Sequence, residues 1–291
     1  VSTEERDQPA EPAAQAEPAE RASKAGRNLP AAIAVGVGLG AVIIVALLTF
    51  RYAYILIVAA AVVVATWELA GALRRGGNIN VARIPVLVGG QAMVWLSWPL
   101  GARGLMASFV VTALVCLVWR LRGGAAGYLR DVAASVFTAA YVPMFAAFAA
   151  MLVVPEDGAQ RVFCFMIAVV ASDTGGYASG VLFGKHPMAP AISPKKSWEG
   201  FAGSMLAGTV GGALSLSLLV AGHWWQGVLF GAAVVVSATV GDLVESQIKR
   251  DLGIKDMGHL LPGHGGLMDR MDSLLPSAAV SWLLLAIFVP I

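Results

Sequence analysis

RYAYILIVAAAVVVATWELAGALRR, residues 51–75, is the stretch whose reading decides the fold. Between Tyr52 and Leu73 its only formal charge is Glu68. At about 1.5 Å of rise per residue, that run covers the roughly 30 Å of hydrocarbon in a bilayer. Inside lipid it has to be a helix, because its amides and carbonyls find no water to bond. One arginine precedes it and two follow, an asymmetry that carries information about orientation. Glu68 is out of keeping with an apolar span and counts against this reading.

The same pattern recurs along the chain. Of 291 residues, 58% are hydrophobic and only 13% charged, with a mean hydropathy of +0.75, which excludes a water-soluble domain of this size. Nine candidate spans run over 30–50, 52–73, 82–100, 104–119, 131–154, 161–183, 201–221, 224–245 and 272–291. The expected fold class is all-α, a polytopic membrane protein of about nine transmembrane helices. Sorting the 20 Lys and Arg residues into alternating loops leaves only Arg51, Arg103 and Arg161 on one side. Positive charge stays inside, so the N terminus is expected in the cytoplasm, as are the polar loops 184–200 and 246–271.

Residues 1–28 are of another kind, rich in Ala, Pro and Glu and carrying six of the eighteen acidic residues. Without large apolar side chains they cannot offset their ordering entropy, and they read as a disordered cytoplasmic tail ahead of a membrane body over 29–291. They lack the short apolar core of a secretory signal. Cys116 and Cys164 sit in apolar runs without metal-ligand spacing, and no disulfide is expected.

Chemistry-bearing residues concentrate in the second half. Ser172, Gly176, Gly180 and Gly184 recur every fourth position, which suits close helix packing. Among them stands Asp173, whose charge needs a polar cavity, a cation or a partner; a neutralised packing role is the plainer alternative. The loop GKHPMAPAISPKKSWEG, 184–200, is kept from helix by Pro187, Pro190 and Pro194. It holds Lys195 and Lys196 beside Ser193 and Ser197, which suits a phosphate-bearing ligand, although ordinary inside-loop charge would look similar. Asp242, Glu245 or Ser246, and Lys249 share one helical face.

The densest polar stretch is KDMGHLLPGHGGLMDRMDS, 255–273. Gly263, His264, Gly265 and Gly266 form a flexible turn whose amides can point at an anion, ahead of the positive end of the last helix. Asp269 and Asp272 share a face of that entry, and with Asp242 three carboxylates would converge. Such a cluster calls for a cation, of which Mg²⁺ is the natural choice; simple complementation of the helix dipole is the alternative. His259 and His264 read first as structural loop histidines.

The run SQIKRDLGIKDMGHLLPGHGGLMDRMD, Ser246 to Asp272, resembles the signature of phosphatidate cytidylyltransferases, also called CDP-diacylglycerol synthases. The match includes Ser246, Lys249, Arg250, Lys255, Asp256, Gly258, Pro262, His264, Gly265, Gly266, Asp269, Arg270 and Asp272. SDTGGY at 172–177, FGK at 183–185 and SPKKSWEG at 193–200 are similar to further family blocks, with Gly176 and Ser197 as small departures. The resemblance covers roughly the second half of the chain.

It implies condensation of CTP with phosphatidic acid to CDP-diacylglycerol and pyrophosphate, with Mg²⁺ required and room for a second cation. Under it, 29–291 is a catalytic domain in the plasma (inner) membrane whose site faces the cytoplasm. Asp242, Asp269 and Asp272 correspond to metal-binding and catalytic acids, joined in catalysis by Lys249 and Arg270. Ser193, Lys195, Lys196, Arg250, Lys255, His264, Gly265, Gly266 and Asp173 are the expected substrate contacts. Membrane lipids are partners, nucleic acid is not, and a homodimer is among the open oligomeric states. The competing readings are a CTP-dependent lipid kinase and an ion-coupled transporter.

Overall fold

The computed structural model describes residues 29–258, 260 and 265–290, with side chains from residue 36 onward. The expected tail over 1–28, and His259, Pro262, Gly263 and His264, lie outside the described residues. Among the described residues seven helices are long and apolar enough to cross a membrane, so the protein is an all-α polytopic membrane protein. In chain order the helices are α1 Leu29–Thr49, α2 Ala53–Gly77, α3 Arg83–Leu121, α4 Tyr128–Ala139, α5 Phe145–Leu152, α6 Gly158–Phe183, α7 Trp198–Leu219, α8 Trp224–Asp251, α9 Met268–Met271 and α10 Leu274–Phe288. A π-turn at Ala140–Met144 joins α4 to α5.

The span expected over 52–73 is α2, Glu68 included. The two expected over 82–100 and 104–119 are the arms of α3, which break at Gly101 (φ 56°, ψ −142°). The chain doubles back there. A straight helix would separate Gly89 from Thr112 by about 34 Å, yet a Cβ on Gly89 would collide with the Thr112 side chain. α8 continues to Asp251, so Ser246, Lys249 and Arg250 are helical rather than part of the polar loop expected over 246–271.

The apolar core gathers Ile55, Val62, Leu69, Met93, Val142 and Leu275 from α2, α3, the π-turn and α10. Cys116 and Cys164 are buried free thiols within it. Backbones approach most closely across α6, α7 and α8. In the row read from the sequence, a Cβ on Gly180 would lie 3.7 Å from the Gly200 Cα of α7. Ser204 Oγ bonds the Ser172 carbonyl at 2.8 Å. Farther along α7, a Cβ on Gly212 would stand 2.9 Å from the Gly231 Cα of α8. Lipid gives helices no hydrophobic reason to associate, so such small-residue seams and interhelical hydrogen bonds hold them together.

The proline-rich loop is not only irregular. Pro187–Ala189 (β1) and Ser193–Ser197 (β2) pair as an antiparallel ribbon, with Pro187 opposite Ser197 and Ala189 opposite Ser193. Ser197 then caps α7 by accepting the Gly200 amide at 3.1 Å. Glu199, in the first turn of α7, bonds back to the residues that lead into the ribbon: Oε2 accepts the Lys185 and His186 amides at 3.2 Å, and Oε1 meets His186 Nδ1 at 2.5 Å.

Candidate active site

The β1–β2 ribbon, α6, α7, α8 and the α9 turn converge on a cavity of about 540 Å³. That lies within the range of about 300–1,000 Å³ usual for small-molecule sites. α6 contributes Asp173, β2 contributes Lys195 and Lys196, α8 contributes Asp242, and the α9 turn contributes Asp269, Arg270 and Asp272. Local geometry explains the convergence of the last two elements. Gly241 leaves α8 without a side chain where α10 crosses, and a Cβ there would stand 2.6 Å from the Pro276 ring. The same glycine lies against the Asp272 carbonyl, which brings Asp242 and Asp272 onto neighbouring turns.

Partners distinguish the acids. Asp242 Oδ2 meets Lys196 Nζ at 2.5 Å, and its Oδ1 accepts from Ser246 at 3.3 Å. Asp272 Oδ1 accepts the Ser273 amide at 2.7 Å. Asp269 is more fully committed: Oδ1 takes Lys249 Nζ at 3.0 Å, and Oδ2 takes the Met257 and Gly266 amides, each at 2.9 Å. Lys249 also bonds the buried Glu245 at 2.9 Å. The stripe expected along α8 therefore divides. Asp242 and Ser246 belong to the cavity end, while Glu245 and Lys249 form a buried ion network with Asp269.

Several expected contacts fall outside the cavity lining. Lys249 is one. Ser193 pairs with Ala189 at the ribbon, Arg250 Nε bonds the Ile192 carbonyl at 3.4 Å, and Lys255 is exposed. Gly265, at φ 82°, and Gly266 belong to the turn that Asp269 holds; the Gly266 amide is spent on Asp269 instead of being open to an anion. His264 is outside the described residues. Ser204 and Thr239 line the cavity without having been singled out from the sequence, and small polar residues within apolar helices give little signal. Glu68 was visible only as an anomaly in its span, although an ionisable group at that depth is itself a functional signal.

Does the site suit a divalent cation? Among the described residues, no three His, Cys, Asp or Glu side chains sit together in ligand geometry, so the three-carboxylate cluster expected from the sequence is not assembled. Mg²⁺ does not need one, because one or two carboxylates plus substrate phosphates usually hold it. With Asp269 neutralised by Lys249, the lining carries Asp173, Asp242 and Asp272 against Lys195, Lys196 and Arg270. Those charges cancel. A lining that is neutral overall but has hard oxygen donors on two adjoining helices fits such an ion.

The Cytidylyltransferase family profile matches residues 30–288, nearly the whole described chain. The chain belongs to the cytidylyltransferase family. A phosphatidate cytidylyltransferase of Mycobacterium leprae is 52% identical over 280 residues, covering 91% of this chain and 89% of that protein. One from Mycobacterium bovis is 53% identical over 294 residues, covering 97% and 95%. A third, from Brucella suis, is 42% identical over 125 residues, or 43% of this chain and 46% of that protein. For this cytidylyltransferase the first two alignments span both the cavity-lining half and the helices beneath it.

Proposed function

We infer that this cytidylyltransferase joins the cytidylyl group of CTP to the phosphate of phosphatidic acid, releasing pyrophosphate and leaving CDP-diacylglycerol in the membrane. The observation that carries the reading is that one cavity is lined by Asp173, Asp242 and Asp272 together with Lys195, Lys196 and Arg270, on a protein of membrane helices. An oxygen of the lipid phosphate attacks the α-phosphorus of CTP, a new P–O bond forms, and the bond to the β-phosphate breaks with its electrons leaving on pyrophosphate. The nucleophile has a second pKa near 6 and is largely anionic at neutral pH, so no general base is needed. What must be supplied is alignment and charge compensation.

Lys195 and Lys196 stand on a ribbon made rigid by Pro187, Pro190 and Pro194 and tied to α7 through Glu199, which holds their ammonium groups toward the phosphates. Arg270 lines the same cavity. Asp242 and Asp272 are the residues that would hold Mg²⁺, with Lys196 standing at Asp242 as the cation in its place. When bound, the ion would neutralise phosphate charge that the lining alone cannot, since the two reactants bring roughly five to six negative charges. Asp269 keeps the turn in shape through Lys249 and the two amides. Placement of the cavity on the cytoplasmic side of the plasma membrane belongs to this reading, supported by the loop charge asymmetry and by the need for CTP.

Purified protein incubated with labelled CTP and phosphatidic acid tests it. Lipid-linked cytidine and pyrophosphate, formed only with Mg²⁺, are expected. Release of CDP with a newly phosphorylated lipid would make it a kinase, and no lipid product at all would favour a transporter.

A further inference from the structure

Glu68 lies on α2, a helix absent from the lining of the cavity, yet its carboxylate ends inside the loop that carries the site. The residue is 8% exposed, and Oε2 accepts the Met268 amide at 2.8 Å, across 200 residues of chain. Two glycines leave room for it. A Cβ on Gly266 would stand 2.6 Å from Glu68 Oε2 and 2.8 Å from the Gly258 nitrogen, and one on Gly258 would collide with Oε1. Oε1 has no hydrogen-bond partner among the described residues. Arg75, two turns farther along α2, donates Nη2 to the Met257 carbonyl at 2.9 Å, while Asp269 takes the amide of the same residue. Gly76 lets α2 approach Leu252, where a Cβ would lie 3.1 Å from the Leu252 Cα.

These contacts meet a definite need. α9 is the entry turn of the helical stretch Met268–Phe288, and Asp272 and Ser273 carry its helical backbone on into α10. Its first amides lack partners within the helix. An outside partner for those amides therefore fixes how the entry turn, with Asp269, Arg270 and Asp272, sits against the loop before it. We propose that Glu68 is a positioning residue for this turn: its carboxylate, seated between Gly258 and Gly266, fixes the Met268 amide and so directs Asp269, Arg270 and Asp272 at the cavity. The proposal rests on the activity inferred above. It also gives the first half of the chain a part in the reaction without contact to either substrate.

The test uses the full chain in detergent or lipid vesicles, comparing wild type with Glu68→Ala, Glu68→Gln, Arg75→Ala and Val62→Ala. Val62 is a fully buried apolar residue of α2 facing Gly90, away from the turn, and serves as the purely structural loss. Glu68→Ala is expected to raise amide hydrogen exchange over 255–270 by about ten-fold or more, leaving α6 and α7 unchanged. With CTP and phosphatidic acid, kcat should fall about ten-fold or more and both KM values stay within roughly three-fold. Glu68→Gln keeps an acceptor for the Met268 amide and should recover most of the rate. Arg75 is exposed, so Arg75→Ala should fold normally and show a smaller change of the same kind. Unchanged exchange in Glu68→Ala overturns the proposal. So does Val62→Ala reproducing both effects, or Glu68→Gln being as impaired as Glu68→Ala. Wild type that forms no CDP-diacylglycerol would sink the activity instead, and the exchange comparison would still decide the role of Glu68.

Discussion

Asp242 and Asp269 have the same side chain and line the same cavity, but their partners assign them different work. Asp242 is paired with one lysine that also faces the cavity, and displacing that lysine frees a ligand oxygen. Asp269 binds a half-buried lysine and two amides, so its loss leaves donors out of reach of bulk water unsatisfied, at up to about 1–3 kcal/mol each. Asp242→Asn and Asp272→Asn are therefore expected to lower kcat at least about 100-fold with an unchanged melting temperature, because only the charge toward the phosphates is lost. Asp269→Asn should lose turnover and also melt earlier; scanning fluorimetry alongside product formation separates the two behaviours. Lys196→Ala should raise the KM for CTP about ten-fold, since a cation facing the triphosphate is removed. Which residue types matter was legible here, because carboxylates and lysines are conspicuous in an apolar chain. Which acid pairs with which cation was not, since Lys249 and Asp269 lie 20 residues apart and meet only after the loop between them folds.

At the scale of elements, apolar length marked the helices and glycine and proline marked their interruptions. Reversal of α3 at Gly101 depends on a backbone conformation that only glycine adopts without strain. Gly101→Ala should cost about 1–3 kcal/mol, seen as a lower melting temperature in detergent, with KM values unchanged because the cavity is elsewhere. The ribbon behaves differently. Its prolines ruled out a helix, but strands of three and five residues are too short for alternation to show, and pairing rather than propensity creates them. Glu199→Ala releases the amides of Lys185 and His186 and should lower kcat/KM for CTP several-fold by loosening the strand that presents Lys195 and Lys196.

For the whole molecule, the two halves divide the work. Helices α6, α7 and α8, joined along glycine seams, supply one wall of the cavity with Asp173 and Asp242, while the ribbon and the α9 turn supply the rest of its charge. The earlier helices pack beneath the turn at α9 and reach it through Glu68 and Arg75. If the lysine and arginine asymmetry sets orientation, the two ends of the bundle face different compartments. A cysteine placed at His186 should then react with an impermeant maleimide only from the cytoplasmic side, and one at Arg103 only from the other. The native Cys116 and Cys164 are fully buried and contribute little background. Equal labelling of both from one side would reverse the orientation argument.

By itself the sequence determined that this protein lives in lipid, where its helices run, and which chemical groups it brings to the membrane surface. Those properties follow from composition and local periodicity, and each can be read within a window of about 20 residues. Only the tertiary structure decided that Lys196 stands at Asp242, that Lys249 is spent on Glu245 and Asp269, and that Glu68 caps Met268. Such pairings depend on distances between residues far apart in the chain, and those distances are set by how the helices pack.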